Sequence, residues 1–235
     1  MRQAPHVPWT TDLGQRLRER QWLKVLGTTA WIWLFFIGYF HLLRHPYGPV
    51  TEMPRTFVDD WVPFQPLWLV PYLSLWVYVG IAPGLQRGLR ALLVYGVWAG
   101  ALCLAGLGLF LLWPTRVPAV AIDPQGFPGF AMLQGIDAAG NACPSMHVAV
   151  AIFTCCWIGH ILRQAGAPRA LRWLNLAWFL AIAYSTLATR QHVLLDVLAG
   201  AALGLVFAWA SLRWRPAEVP RRVQGAAAVA IMERR

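Results

Sequence analysis

The sequence predicts an all-α fold, a bundle of six transmembrane helices, and three observations predict it. The first is composition: 58% of the 235 residues are hydrophobic and 13% are charged, against about 25% charged in a typical soluble domain. The second is distribution, because long apolar stretches alternate with short charged ones, the pattern of repeated membrane crossing. The third is charge asymmetry: of the 20 Lys and Arg, 16 fall on the side of the termini and four (Arg44, Arg55, Arg116 and Arg190) on the other. A positive-inside bias of that size puts both termini in the cytoplasm.

The expected spans are Trp22–Leu43, Phe64–Pro83, Arg90–Trp113, Pro144–Leu162, Leu171–Thr189 and His192–Trp214, each near the ~20 apolar residues a bilayer requires. The second contains Pro66 and Pro71, tolerated near a span entrance where neighbouring protein re-satisfies the backbone. Residues 1–21 read as a cytoplasmic segment without a cleavable signal, since the first span is long enough to stay in the membrane. Residues 22–214 form the membrane domain and residues 215–235 a basic cytoplasmic tail with a small apolar patch, Ala227–Met232. The outer loop Pro114–Cys143 is long and rich in Gly and Pro, as lids and substrate-binding segments often are.

The net charge of +10 is explained by membrane topology, because the basic residues flank apolar spans, and no nucleic-acid partner is expected. Cys103, Cys155 and Cys156 lie in apolar spans, where cysteine behaves as a small hydrophobe. With Cys143 they form neither a CxxC pair nor a disulfide framework.

Two of the six histidines stand apart. His192 and Asp196 are four residues apart at the start of the last span, which on a helix places them on one face with about 5–6 Å between Cβ atoms. A carboxylate one turn inside an apolar span is costly unless paired and is a functional candidate by default. His192 is the available partner, and the pairing fixes its tautomer and stabilises its protonated form; a purely structural His–Asp bond at a helix end is the competing reading. In Asn141-Ala142-Cys143-Pro144-Ser145-Met146-His147, Pro144 reads as a helix-start proline, placing His147 in the first turn of the fourth span. Both histidines then lie at helix N-termini on the outer face, where free N–H groups and the macrodipole favour anions. Arg190 and Arg116 add charge nearby, and together these features predict a phosphate pocket. His6, His41, His45 and His160 have no such company and read as structural or solvated.

These residues resemble the type 2 phosphatidic acid phosphatase superfamily. Its Pro-Ser-Gly-His signature appears as Pro144-Ser145-Met146-His147, with Met in place of Gly. Its Ser-Arg, five residues, His, three residues, Asp signature appears as Ser185-Thr186, then His192, then Asp196, with Thr186 in place of Arg. The first signature, Lys, six residues, Arg-Pro, is absent as such, and Arg116 stands near its place. The departures, and the segments Asp60–Pro66 and Pro71-Tyr72, are similar to the branch containing inositolphosphorylceramide synthase. The resemblance implies a superfamily-like catalytic core with catalytic His192, His147 and Asp196. It implies substrate phosphate binding by Arg190, Arg116 and Ser145, and a phosphohistidine intermediate, with no metal or other cofactor.

The expected activity is metal-independent hydrolysis of a phosphate ester or diphosphate of a lipid, on the outer face of a bacterial plasma membrane. Phosphatidate, phosphatidylglycerol phosphate, a polyprenyl diphosphate and a phosphosphingolipid all fit. The alternatives are a lipid phosphotransferase using the same residues, a zinc enzyme using His147, His192 and Asp196, and a non-enzymatic transporter or lipid-binding protein.

Overall fold

The structure is a computed structural model that describes residues 7–119 and 140–215. Among them are eight α-helices: α1 (Trp9–Arg18), α2 (Gln21–Arg44), α3 (Phe57–Trp61), α4 (Leu69–Gly84), α5 (Gly88–Leu112), α6 (Met146–Gln164), α7 (Arg169–Ala188) and α8 (Leu194–Arg213). Two short strands, β1 (Thr51–Glu52) and β2 (Thr115–Arg116), pair in parallel. Most of the loop expected as a lid, residues 120–139, and the tail beyond residue 215, with its apolar patch, lie outside the described residues.

Among the described residues, five helical segments are long and apolar enough to cross a membrane: α2, the segment Pro66–Gly84 that contains α4, α5, α6 and α8. The sequence led to an expectation of six. The remaining helix, α7, has 20 residues, but Arg172, Asn175 and the Ser185-Thr186 pair dilute its apolar character. Exposed side chains such as Trp33, Ile37, Val77, Val97, Leu104, Leu198 and Val206 cover the outside of the bundle. A continuous apolar surface with helical backbone beneath it suits hydrocarbon, where every backbone polar group has to be satisfied internally.

The second span begins with a 3-10 turn at Pro66–Trp68 before α4. Pro66 opens that turn and Pro71 sits in the first turn of α4, positions at which a missing N–H leaves no intrahelical bond unmade. The turn is fastened to α7: the Gln65 backbone N–H donates to Ala188 O at 2.9 Å, and its side-chain Nε2 donates to the Tyr184 hydroxyl at 2.7 Å.

Helix α6 is the hub, packing on α4, α5, α7 and α8. Its closest partner is α8, and the sequence reason is Gly200-Ala-Ala-Leu-Gly204. A Cβ at Gly200 would overlap the Ser145 carbonyl, and one at Gly204 would overlap the Ala149 carbonyl. Small residues four apart let helix backbones touch in a membrane interior, where packing rather than burial from water drives association. Buried polar groups are paired across the same core. Trp157 Nε1 donates to Ser211 Oγ at 3.0 Å, the Tyr78 hydroxyl to Asn175 Oδ1 at 2.8 Å, and Asn175 Nδ2 to Cys155 O at 3.0 Å.

The N-terminal segment, read from sequence as a polar lead-in, contains α1, folded under the α4–α5 turn. Lys24 Nζ donates to Arg16 O at 2.6 Å and to Gly84 O at 2.8 Å. Arg16 Nε pairs with Asp12 at 2.7 Å, and Arg87 pairs with the other oxygen of the same carboxylate. Lys24 and Arg16 meet the carbonyls of Gly84 and Leu85 at the end of α4, where the helix dipole favours positive charge.

Candidate active site

The opposite end of the bundle carries His147 and His192. Helix α6 starts at Met146 with Ser145 as its N-cap, and the Ser145 hydroxyl accepts the Val148 N–H. Pro144 therefore lies one residue before the cap, not at the first helical position as expected, and His147 is the second residue of the helix. The Ser145 N–H donates to Asp196 O at 3.0 Å. This backbone bond joins the first turns of α6 and α8 and holds the two histidines together. Their ring centroids are 6.1 Å apart.

Met146 occupies the position where the resemblance has Gly, and its side chain fills the space over Gly106 of α5. The larger residue is accommodated because the facing helix lacks a side chain there. The His147 ring stacks on Tyr72 with centroids 4.3 Å apart and meets Trp76 edge-on at 5.7 Å, so α4 fixes its plane. His147 Nε2 is buried, and among the described residues it has no hydrogen-bond partner.

Helix α8 begins at Leu194, so His192 precedes the helix rather than lying within it. Its position comes from the preceding turn, where the His192 N–H donates to Thr186 O at 3.1 Å. His192 Nδ1 still faces Asp196 Oδ2 at 3.5 Å. This is an ion-pair contact, longer than a hydrogen bond, and catalytic contacts commonly tighten when substrate binds. Asp196 is fully buried, and its Oδ2 also accepts the Val193 N–H at 3.0 Å. With Nδ1 turned to the carboxylate, Nε2 is the ring nitrogen left for chemistry.

Asp59, which sequence reading did not single out, completes the support. It is 3% exposed. Its Oδ1 accepts the Leu194 N–H at 2.7 Å, while its Oδ2 accepts the Thr56 N–H and hydroxyl at 2.7 and 2.8 Å. Asp59 and Asp196 thus occupy N–H groups at the start of α8 that sequence reasoning had offered to a phosphate. The only sequence hint of Asp59 was the Thr56-Phe57-Val58-Asp59 capping pattern; its long-range bond to Leu194 leaves no local signal.

Arg190 sits in the α7–α8 turn with a left-handed backbone, φ 59°. Its Nη1 donates to the Asp59 carbonyl, and its buried Nε has no hydrogen-bond partner among the described residues. Burial and the neighbouring Arg55 charge pull its pKa below the usual arginine value, with Asp59 and Asp60 opposing. A guanidinium in that setting is under-compensated and gains from an incoming anion. Thr186, at the signature's Arg position, is fully buried, and its hydroxyl donates to Ala183 O at 2.8 Å. It adds no charge. Arg116 is half-exposed in a salt bridge to Glu52 at 3.0 Å, away from the histidine pair's own contacts. Ser145 is fully buried and engaged as a cap. Of the residues expected from sequence, the structure brings the histidines and Asp196 together and ties Arg190 to Asp59, while Arg116 pairs with Glu52.

His147 and His192 also line a cavity of about 1290 Å³ that is open along one side, with walls made mainly of apolar side chains of α2, α4, α5 and α6. Among the described residues no three His, Cys, Asp or Glu side chains converge as a metal-binding group.

Fold and site together describe a mostly helical protein with five candidate membrane spans, in which two histidines and a carboxylate meet at the starts of α6 and α8. A family model described as the PAP2 superfamily matches residues 110–220, which take in the histidines, Asp196 and Arg190 but not Asp59, Tyr72 or Trp76. Members of that superfamily are generally phosphatases or phosphotransferases. No curated protein and no solved structure gives a match.

Proposed function

We propose that the protein is an integral-membrane lipid phosphatase working through a phosphohistidine. The observation that carries this reading is the His147–His192 pair in the wall of the apolar cavity, with Asp196 behind His192. His192 Nε2 attacks phosphorus, the bond to the leaving oxygen breaks, and its electron pair leaves with that oxygen, which takes a proton from His147. His147 then removes a proton from water, the water oxygen attacks phosphorus, and the N–P bond breaks to release phosphate. Asp196 holds the His192 ring and stabilises the charge it develops. Arg190 meets the equatorial oxygens, and Ser145 places His147 by capping α6. The direct test is phosphate release by purified protein from a panel of lipid phosphates, with and without an acceptor alcohol. Phosphate release without the alcohol supports hydrolysis, whereas no release from any of them rejects it.

A phosphotransferase, like the inositolphosphorylceramide synthase branch, uses the same residues and differs only in what reaches His192 second. Met146 and the uncharged Thr186 favour that reading, and transfer of label to the acceptor alcohol in the same assay would select it.

The orientation follows from charge. Six helices cross in this account, because α7 must return the chain between α6 and α8 and, at about 1.5 Å per residue, is long enough to do so. Both termini are then cytoplasmic and the histidines face outward. Protease added to intact spheroplasts should leave tags at either terminus uncut; digestion of both would invert the orientation.

The arginines separate the geometric reading from the sequence one. Arg190→Ala should cost about 2–4 kcal/mol of transition-state stabilisation, read as a loss in kcat. Arg116→Ala should change kcat by less than about 1 kcal/mol, the scale of an exposed ion pair. Equal losses would return Arg116 to the phosphate site. Activity should also survive chelation, because the proposed electrophilic charge is a guanidinium; inactivation by EDTA that zinc reverses would favour a metal mechanism.

A further inference from the structure

We propose that the cavity is a measuring channel for the substrate's hydrocarbon chain, with Trp31 on Gly100 as its specificity-determining waist; this rests on the lipid-phosphate reading above. The cavity is continuous with the catalytic site, since His147 and His192 are part of its wall. It follows α2 from Phe40, near the histidines, to Lys24 at the far end, a depth of about 24 Å at 1.5 Å per residue. The far end is polar: the Lys24 ammonium is bound to the carbonyls of Arg16 and Gly84, and a hydrocarbon chain gains nothing beyond it. The occupant this shape and lining select is an alkyl or isoprenoid chain whose phosphate lies between the two histidines.

Midway, between Thr28 and Phe35 on α2, the indole of Trp31 lies against the bare backbone of Gly100 on α5. A Cβ at Gly100 would stand 2.9 Å from two Trp31 ring carbons, and both residues line the cavity. The ring therefore occupies the space of an absent side chain, and its position depends on that absence. Adding a methyl at Gly100 moves the ring into the channel; removing the ring opens it. Tails in a bilayer are already out of water, so the channel discriminates by fit rather than by burial. Misfit in a packed interior is worth about tenfold or more in an equilibrium or rate ratio.

The experiment measures kcat/KM for alkyl monophosphates from octyl to octadecyl, each normalised to the same variant's turnover of nitrophenyl phosphate, which has no tail. Wild type should show an optimum length. Gly100→Ala should shift it to shorter chains, lowering the longest by about tenfold or more, and Trp31→Ala should shift it to longer ones. Thr28→Trp, which fills the inner half, should penalise only chains long enough to reach it. Unshifted profiles in folded Gly100→Ala and Thr28→Trp would overturn the proposal. Binding of non-hydrolysable alkyl phosphonates of the same lengths gives the comparison without turnover. If no phosphate ester is hydrolysed but phosphonate affinity still follows length and shifts in Gly100→Ala, the channel stands and the phosphatase reading falls. Affinity independent of length, or a cavity filled by bilayer lipid that the phosphonates do not displace, rejects the channel.

Discussion

His192→Ala should reduce turnover of every phosphate ester to background, a loss on the order of 10⁵–10⁶-fold if the residue is the nucleophile. The rate comparison needs a fold control, because Asp196 is fully buried and His192 is its ion-pair partner. Removing one member of a buried pair costs stability, but the Val193 N–H still satisfies one oxygen of the carboxylate. The helical bundle should therefore survive, with a lower Tm and an unchanged elution volume. Loss of turnover with the fold retained supports a catalytic His192. Loss of the fold itself would favour a purely structural His–Asp pair, as in a transporter or lipid-binding protein.

His147→Ala should separate substrates by leaving group. The residue is assigned proton transfer because it has no carboxylate of its own and its ring is clamped by Tyr72 and Trp76. General acid catalysis contributes about 10²–10⁴-fold, and an alkyl phosphate needs all of it. A nitrophenolate leaves without protonation, so the variant should lose far less in the first step with nitrophenyl phosphate. The second step still lacks its base, and phosphoenzyme should accumulate. Equal losses on both substrates would remove His147 from the acid role and leave it as packing for His192.

The helical spans were legible because their signals are local: apolar stretches of bilayer length and, at Pro66 and Pro71, prolines that fit a first turn. Of the six spans expected, α7 is the one that falls short of the apolar character of the other five, since Arg172 and Asn175 lower its apolar content and Asn175 is bound to Tyr78 and Cys155 of neighbouring helices. The histidine pair was legible for a related reason. Each histidine lies beside a helix start with its own spacing to a cap or a carboxylate, and the resemblance to a known signature joined the two. The helical argument for His192 and Asp196 put them on one face, yet α8 starts two residues later; the contact persists because the α7–α8 turn carries His192 back over the first helical turn. Asp59 was not legible, because its partner Leu194 is distant in sequence and a backbone N–H leaves no mark on composition. Arg116 looked available in sequence because Glu52, its partner across the β1–β2 pair, is equally distant. The sequence analysis did not single out Gly200 and Gly204, because nothing local shows that the carbonyls of Ser145 and Ala149 lie above them.

The central claim is that a covalent phosphoenzyme forms on His192, and trapping it is the most direct measurement. Purified protein mixed briefly with a phosphorus-labelled substrate and quenched in base, which preserves phosphohistidine, should carry acid-labile label. Peptide mapping should place that label on His192 in both the wild type and the His147→Ala variant, with more label in the variant and none in His192→Ala. Label on His147, or rapid single-turnover hydrolysis by His192→Ala, would contradict the account and reverse or remove the roles assigned to the two histidines.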